Sequence, residues 1–154
     1  MATEAVSSTP VEGTKKTLTI VVIYAKEDGD EASTFKEHLQ NDILQSERNL
    51  NVEIKMLNDT EIKSLEESSE EARFAFLLLT KAFCEDSWPR VSQENYIRAL
   101  LYGTEGKSTL VPIFTKNRGT ADFRIPMGLN ILKGLRYCDR DEFYKASMIK
   151  LLFN

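Results

Sequence analysis

Three carboxylates close behind one strand-like run, Glu27, Asp28 and Asp30, are the first residues whose types and spacing could do chemistry. Hard oxygen donors of this kind can hold Mg²⁺. With an aspartate ending the central strand and a lysine after a later one, they would form a phosphoryl-accepting centre. Lys116 supplies the lysine, but Thr80 stands in the place of the acceptor aspartate, so the acids read as helix-capping residues. His38 is the only histidine. Helical spacing puts it beside Leu39 at the margin of an apolar face, as a surface or half-buried residue rather than a general base. Nothing on its helix is expected to face a strand's carboxyl end. Cys84 lies near a helix start, which can lower a thiol pKa, yet no base accompanies it, and it reads as structural. No glycine-rich phosphate-cradling motif occurs. The residues imply no cofactor, no metal and no catalytic group.

The elements that must position these residues follow from patterning. Thr17–Tyr24 and Phe74–Leu79 are apolar on both faces, as buried strands of a parallel sheet are. Asn51–Leu57 alternates, with Val52, Ile54 and Met56 on one side, and predicts a half-covered strand, an edge candidate. Ser108–Thr115 predicts a further buried strand, in which Pro112 points to an edge or a bulge. Gly134–Cys138 predicts a short last strand. Ala32, Phe35, Leu39, Ile43 and Leu44 mark an amphipathic helix over about Asp30–Glu47, opened by an Asp28/Glu31 capping box. Asn58–Glu71 reads as a loop and a short marginal helix. Ser87 or Asp86 caps a helix with Pro89 in its first turn, running to about Tyr102 and stopped at Gly103. Asp139 with Glu142 opens a final helix whose apolar face is Phe143, Ala146, Ile149, Leu151 and Leu152. Strand–helix alternation predicts an α/β, flavodoxin-like three-layer sandwich around a central, mainly five-stranded parallel sheet. Ligands of such sheets meet the loops at the strands' carboxyl ends.

The 154 residues suit one domain, over residues 17–154, behind a small, polar leader or linker at 1–16. Hydrophobic residues at 42% and charged ones at 29% are the balance of a soluble globular chain. The net charge of −4 argues against a general nucleic-acid binder, which needs surplus Lys and Arg for the phosphates. Cys84 and Cys138 fit no metal spacing and read as reduced thiols in a cytoplasmic protein. The longest apolar runs fall far short of the ~20 residues a membrane span needs.

Three segments carry a resemblance. Ile20-Val21-Val22-Ile23-Tyr24-Ala25-Lys26-Glu27-Asp28 resembles the opening strand of the Toll/interleukin-1 receptor (TIR) domain, with its aromatic and polar-acidic turn. The stretch Phe74 to Trp88, FAFLLLTKAFCEDSW, closely follows that family's third strand, the turn behind it and the tryptophan opening the next helix. Leu110-Val111-Pro112-Ile113-Phe114, and Ile125-Pro126 with Leu135-Arg136-Tyr137, are similar to its last two strands. The wording is nearest to TRIF/TRAM-type TIR-domain adaptors. The resemblance spans about residues 17–154 and implies a cytoplasmic adaptor of Toll-like receptor signalling in innate immunity. Such a protein binds TIR domains of receptors or adaptors, with self-association, and neither nucleic acid nor a membrane span.

The family's partner-binding loop after the second strand carries Arg-Asp-x-x-Pro-Gly; the corresponding Asn58, Asp59, Thr60, Glu61, Ile62 and Lys63 lack both Pro and Gly. NAD⁺-cleaving members use a glutamate four residues after the tryptophan. Ser92 stands there, and Glu94, six residues on, would lie about 200° around a continuous helix from Trp88. An NAD⁺ hydrolase and a receptor's cytoplasmic domain are the alternative readings. Partner binding is expected at residues 58–63, at acidic Glu66, Glu67 and Glu70, at Pro89 and Arg90, and at basic Lys116 and Arg118. Residues 58–72 are acidic and 115–140 basic, so two such faces could pair head to tail.

Overall fold

The computed structural model describes residues 16–44, 50–61, 72–101, 108–116, 122–130 and 132–153. Four strands form one sheet: β1 (Lys16–Tyr24), β2 (Leu50–Asn58), β3 (Phe74–Leu79) and β4 (Thr109–Phe114). They lie in the order β2-β1-β3-β4, all parallel. Every residue of β3 is buried, because its side chains meet helices on both faces. One face joins Ile20, Val22, Phe76, Leu78 and Ile113 to Phe35, Leu39 and Tyr144; the other joins Val21, Ile23, Ala75, Leu77 and Leu79 to Phe83, Val91 and Ile97. The period of two along each strand divides its residues between these cores. β2 is an edge, as its alternation implies, and it leaves Glu53 exposed. The α/β order is compatible with a flavodoxin-like layout, with four strands where five were expected.

Pro112 explains the missing fifth strand. In a parallel ladder a residue's N–H and C=O point to the same neighbour. The Pro112 carbonyl accepts from Leu135 N at 2.9 Å, and Phe114 N donates to Leu135 O at 2.9 Å. The N–H that Pro112 lacks would have faced the same segment, so the ladder cannot lengthen towards residue 133. Beyond Leu135 the chain turns at once, and Phe114 O accepts from Cys138 N. The expected strand over Gly134–Cys138 is thus reduced to a single bridge, Ile113 to Leu135. Gly134 permits that approach: a Cβ there would lie 2.6 Å from a Phe114 ring carbon and 2.7 Å from the Pro112 carbonyl oxygen.

The helices depart from expectation in several places. The first, α1 (Gly29–His38), loosens into a wider π-type turn over Leu39–Ile43, and the end of the expected helix, residues 45–47, lies outside the described residues. Asp28 makes no cap bond; its carboxylate accepts from the Thr80 hydroxyl. After β3, a π-type turn at Phe83–Ser87 leads into α2 (Trp88–Val91), and the chain breaks at Ser92 before α3 (Asn95–Leu101). The single long helix expected here is therefore two short ones. A short α4 (Met127–Asn130) precedes the last helix, α5 (Glu142–Phe153). Asp141, not Asp139, caps α5 by accepting Tyr144 N at 2.8 Å, while Asp139 pairs with Arg136.

The last departure is the face α5 buries. Tyr144, Met148 and Leu152 turn inward, whereas Phe143 and Ile149 are 77% and 41% exposed. Polar anchoring decides this rotation. His38 Nε2 lies 2.8 Å from the Tyr144 hydroxyl, and His38 Nδ1 lies 2.8 Å from the Asp42 carboxylate. His38 is buried rather than at the surface. An Asp–His–hydroxyl row can relay protons in catalysis, but Tyr144 is closed off from solvent, and burial raises the pKa of its hydroxyl. The row pins α5 to the end of α1.

Candidate functional site

Asp59 is the residue around which the expected partner-binding positions are built. It ends β2 in a turn that closes on itself. Asn58 Oδ1 accepts Thr60 N at 2.8 Å and the Thr60 hydroxyl, and Glu61 Oε1 accepts Asn58 N at 3.0 Å. Asn at this position favours such a turn because its short amide reaches its own backbone two residues on. The Asp59 carboxylate itself turns inward and is buried. It accepts Lys26 N at 3.1 Å from the loop after β1, Ser87 Oγ at 2.6 Å and Arg90 Nη2 at 2.9 Å from the segment after β3. Three strand ends are thereby clamped together.

Asp59 is accordingly a positioning residue, a correction to its expected place among exposed contacts. Its charge is offset by Arg90 and does not add to an acidic face. The residues left at the surface are Thr60, Glu61, Pro89 and Arg90, the last 58% exposed in its side chain. The structure thus brings four of the expected residues into one patch. Lys116 lies elsewhere, behind β4, and since β2 and β4 are opposite edges the segments following them leave from opposite sides. Ile62, Lys63, Glu66, Glu67, Glu70 and Arg118 fall outside the described residues.

A cleft of about 400 Å³ opens at the carboxyl ends of β1, β3 and β4, where open parallel sheets receive ligands. Glu27, Asp28, Glu31, Glu85, Asp86 and Asp122 line it, with Lys81 and Lys116 as its cations and Phe123 as its aromatic wall. Burial, then the Asp28 charge, raises the Glu31 carboxyl above its ordinary pKa, against the pull of Lys116 and Arg140. Thr80 is engaged on both sides, donating to Asp28 and accepting Phe83 N at 3.1 Å. Such a lining attracts cationic groups. Among the described residues no cluster of His, Cys, Asp and Glu has a metal-holding arrangement.

The chain matches no family model, no curated protein and no solved structure.

Trp88 is half-buried and packs against Phe83 at 6.3 Å in the second core. Ser92 follows it at the break after α2, donating weakly to Pro89 O at 3.4 Å. Because the helix stops at Ser92, Glu94 does not continue the helical phase of Trp88, and the rotation expected between them does not apply. Sequence reasoning missed Lys26 and Ser87 as anchors of Asp59. Ser87 had passed for a helix cap, yet it makes no cap bond and is fully buried.

Cys84 is buried under the same helix start, and its thiol is pushed up to about 12 by burial and, secondarily, by Glu85. The thiolate is the reactive form, so raising the pKa leaves almost none of it at neutral pH. Iodoacetamide at pH 8 should leave Cys84 unlabelled in the native protein and label it fast in urea, read by peptide mass mapping. Rapid native labelling would refute the burial that this pKa reflects.

Proposed function

We propose that this chain is a TIR-type signalling adaptor that acts by docking onto the TIR domains of receptors or other adaptors, in a cytoplasmic innate-immune pathway. The observation that carries this reading is the Asp59 clamp. It holds the turn after β2 and the start of α2 as one surface, with Thr60, Glu61, Pro89 and Arg90 outward. A surface ordered before binding avoids the conformational cost that a loose loop incurs on docking. The turn stands where the resembled family carries its partner-binding loop. Here internal hydrogen bonds from Asn58 and Glu61 supply the rigidity that Pro and Gly give elsewhere.

Capture of TIR domains from a purified panel tests the proposal. Arg90→Ala removes an exposed charge whose pair with Asp59 is worth at most about 1 kcal/mol to folding. At an interface, loss of an arginine anchor weakens binding about tenfold or more. A wild-type chain that captures no TIR domain, or an Arg90→Ala chain that binds as tightly as wild type, overturns the proposal.

The place of the cleft, at the ligand position of this sheet type, favours one second reading, an NAD⁺-cleaving TIR domain, in which Lys81 and Lys116 would have to meet the diphosphate against the surrounding acids. Nicotinamide release from NAD⁺ by the pure protein would establish it.

A further inference from the structure

The helix α5 carries apolar residues on its outward side as well as on its inward one, yet only the inward side packs against the core. Its inward face is Tyr144, Met148 and Leu152; outward it presents Phe143, Ala146 and Ile149 with Glu142 and Lys150. Phe143 is among the most exposed large apolar residues described. The outward residues are arranged symmetrically about Ala146. Glu142, Ala146 and Lys150 form one i, i+4 row, with the acid a turn before the alanine and the base a turn after it. Phe143 and Ile149 flank the row, each three residues from Ala146 and about 60° to either side of it. Neither Glu142 nor Lys150 is ion-paired among the described residues.

From this arrangement we propose that the outward face of α5 docks onto the same face of a second copy of this chain, antiparallel, about a two-fold axis beside Ala146. An isologous contact needs a patch complementary to itself, and this one is. Reversing the helix sets Glu142 of one copy beside Lys150 of the partner copy and Lys150 beside the partner's Glu142. The commonest helix crossing lays the i, i+4 rows of both helices side by side, which aligns these ion pairs. The small Ala146 at the crossing point lets the helices approach, and Phe143 covers the partner's Ile149. A parallel or head-to-tail arrangement would place like charges together or leave them unpaired.

One helix face of 12 residues buries less than the ~1,200 Å² of a typical specific interface. The dimer is consequently weak, and forms at high micromolar concentration. It is separate from the Asp59 platform, so one chain can self-associate through α5 while docking through residues near Arg90.

Sedimentation velocity of the full chain over a concentration series tests the proposal. Wild type is expected to shift from monomer to dimer. Glu142→Lys and Lys150→Glu each set like charges together and should weaken the dimer about tenfold. The double variant E142K/K150E exchanges the charges and should return to wild-type association. All three positions changed or retained here are solvent-exposed, and an unaltered circular dichroism spectrum verifies folding. Ala146→Trp should abolish the dimer by blocking close approach. A chain that stays monomeric throughout, or a double variant as weak as the singles, overturns the self-docking. Arg90→Ala is expected to leave this association unchanged, so a failed TIR-domain capture with an intact dimer counts against the adaptor reading alone.

Discussion

Phe35→Ala is expected to lower the unfolding free energy by about 4 kcal/mol, in the range for buried phenylalanines cut back to alanine. Phe35 is fully buried on the inner face of α1. Its ring meets Phe76 of β3 edge-on at 6.1 Å and Tyr137 at 4.9 Å, and lies 6.3 Å from the His38 ring. The residue therefore joins helix, sheet and the turn before α5 in one cluster. Removing it opens a cavity whose walls belong to three different elements and cannot all move inward together. For a domain of this size such a loss lowers the melting midpoint by roughly 8–16 °C. Phe35→Leu, which keeps most of the volume, should cost much less, about 1 kcal/mol. Urea unfolding of the two variants checks the ranking; an Ala variant within 1 kcal/mol of wild type would mean the cluster is not closely packed.

Asp59→Ala should cost about 3 kcal/mol, the second largest effect. The substitution leaves the Lys26 N–H and the buried Ser87 hydroxyl without their acceptor and removes the partner of Arg90. Hydrogen bonds to a charged group contribute about 1.5–3 kcal/mol, and an orphaned buried donor keeps its desolvation cost. Arg90→Ala, on the exposed side of the pair, should cost no more than about 1 kcal/mol. The asymmetry is the diagnostic feature. Hydrogen exchange adds a local readout: the Lys26 amide should exchange faster in Asp59→Ala while amides within β3 keep their protection. Equal destabilisation by the two alanine variants would place the anchoring in the ion pair instead of in the buried carboxylate.

Both results bear on how the platform works. If the Asp59 variant unfolds locally, docking should suffer even though no exposed residue has changed. Arg90→Ala separates the contributions, because it alters the surface and leaves the clamp's other two hydrogen bonds in place.

The strands were legible because their evidence is local. Phe74–Leu79 is apolar at every position, and only a strand covered on both faces requires that. The alternation in Val52, Ile54 and Met56 marked β2 as half covered, and its edge place in the sheet agrees. Pro112 signalled an edge, and its consequence went further than expected: by removing one outward donor it stops the next strand after one bridge. The rotation of α5 was not legible, because apolar residues lie on two sides of the helix and offer two candidate faces. The bond from Tyr144 to His38 selects one, across 106 positions of sequence.

The same division runs through the candidate site. Sequence alone determined four of the five expected strands, the turn after β2 and the residues Pro89 and Arg90 as surface positions, since periodicity and turn chemistry act between near neighbours. Only the tertiary structure decided that Asp59 faces inward, that Lys26 and Ser87 hold it, and that Phe143 and Ile149 stay outside. Those outcomes rest on hydrogen bonds and packing between segments far apart in the chain, and a buried polar group takes whichever orientation brings it a partner.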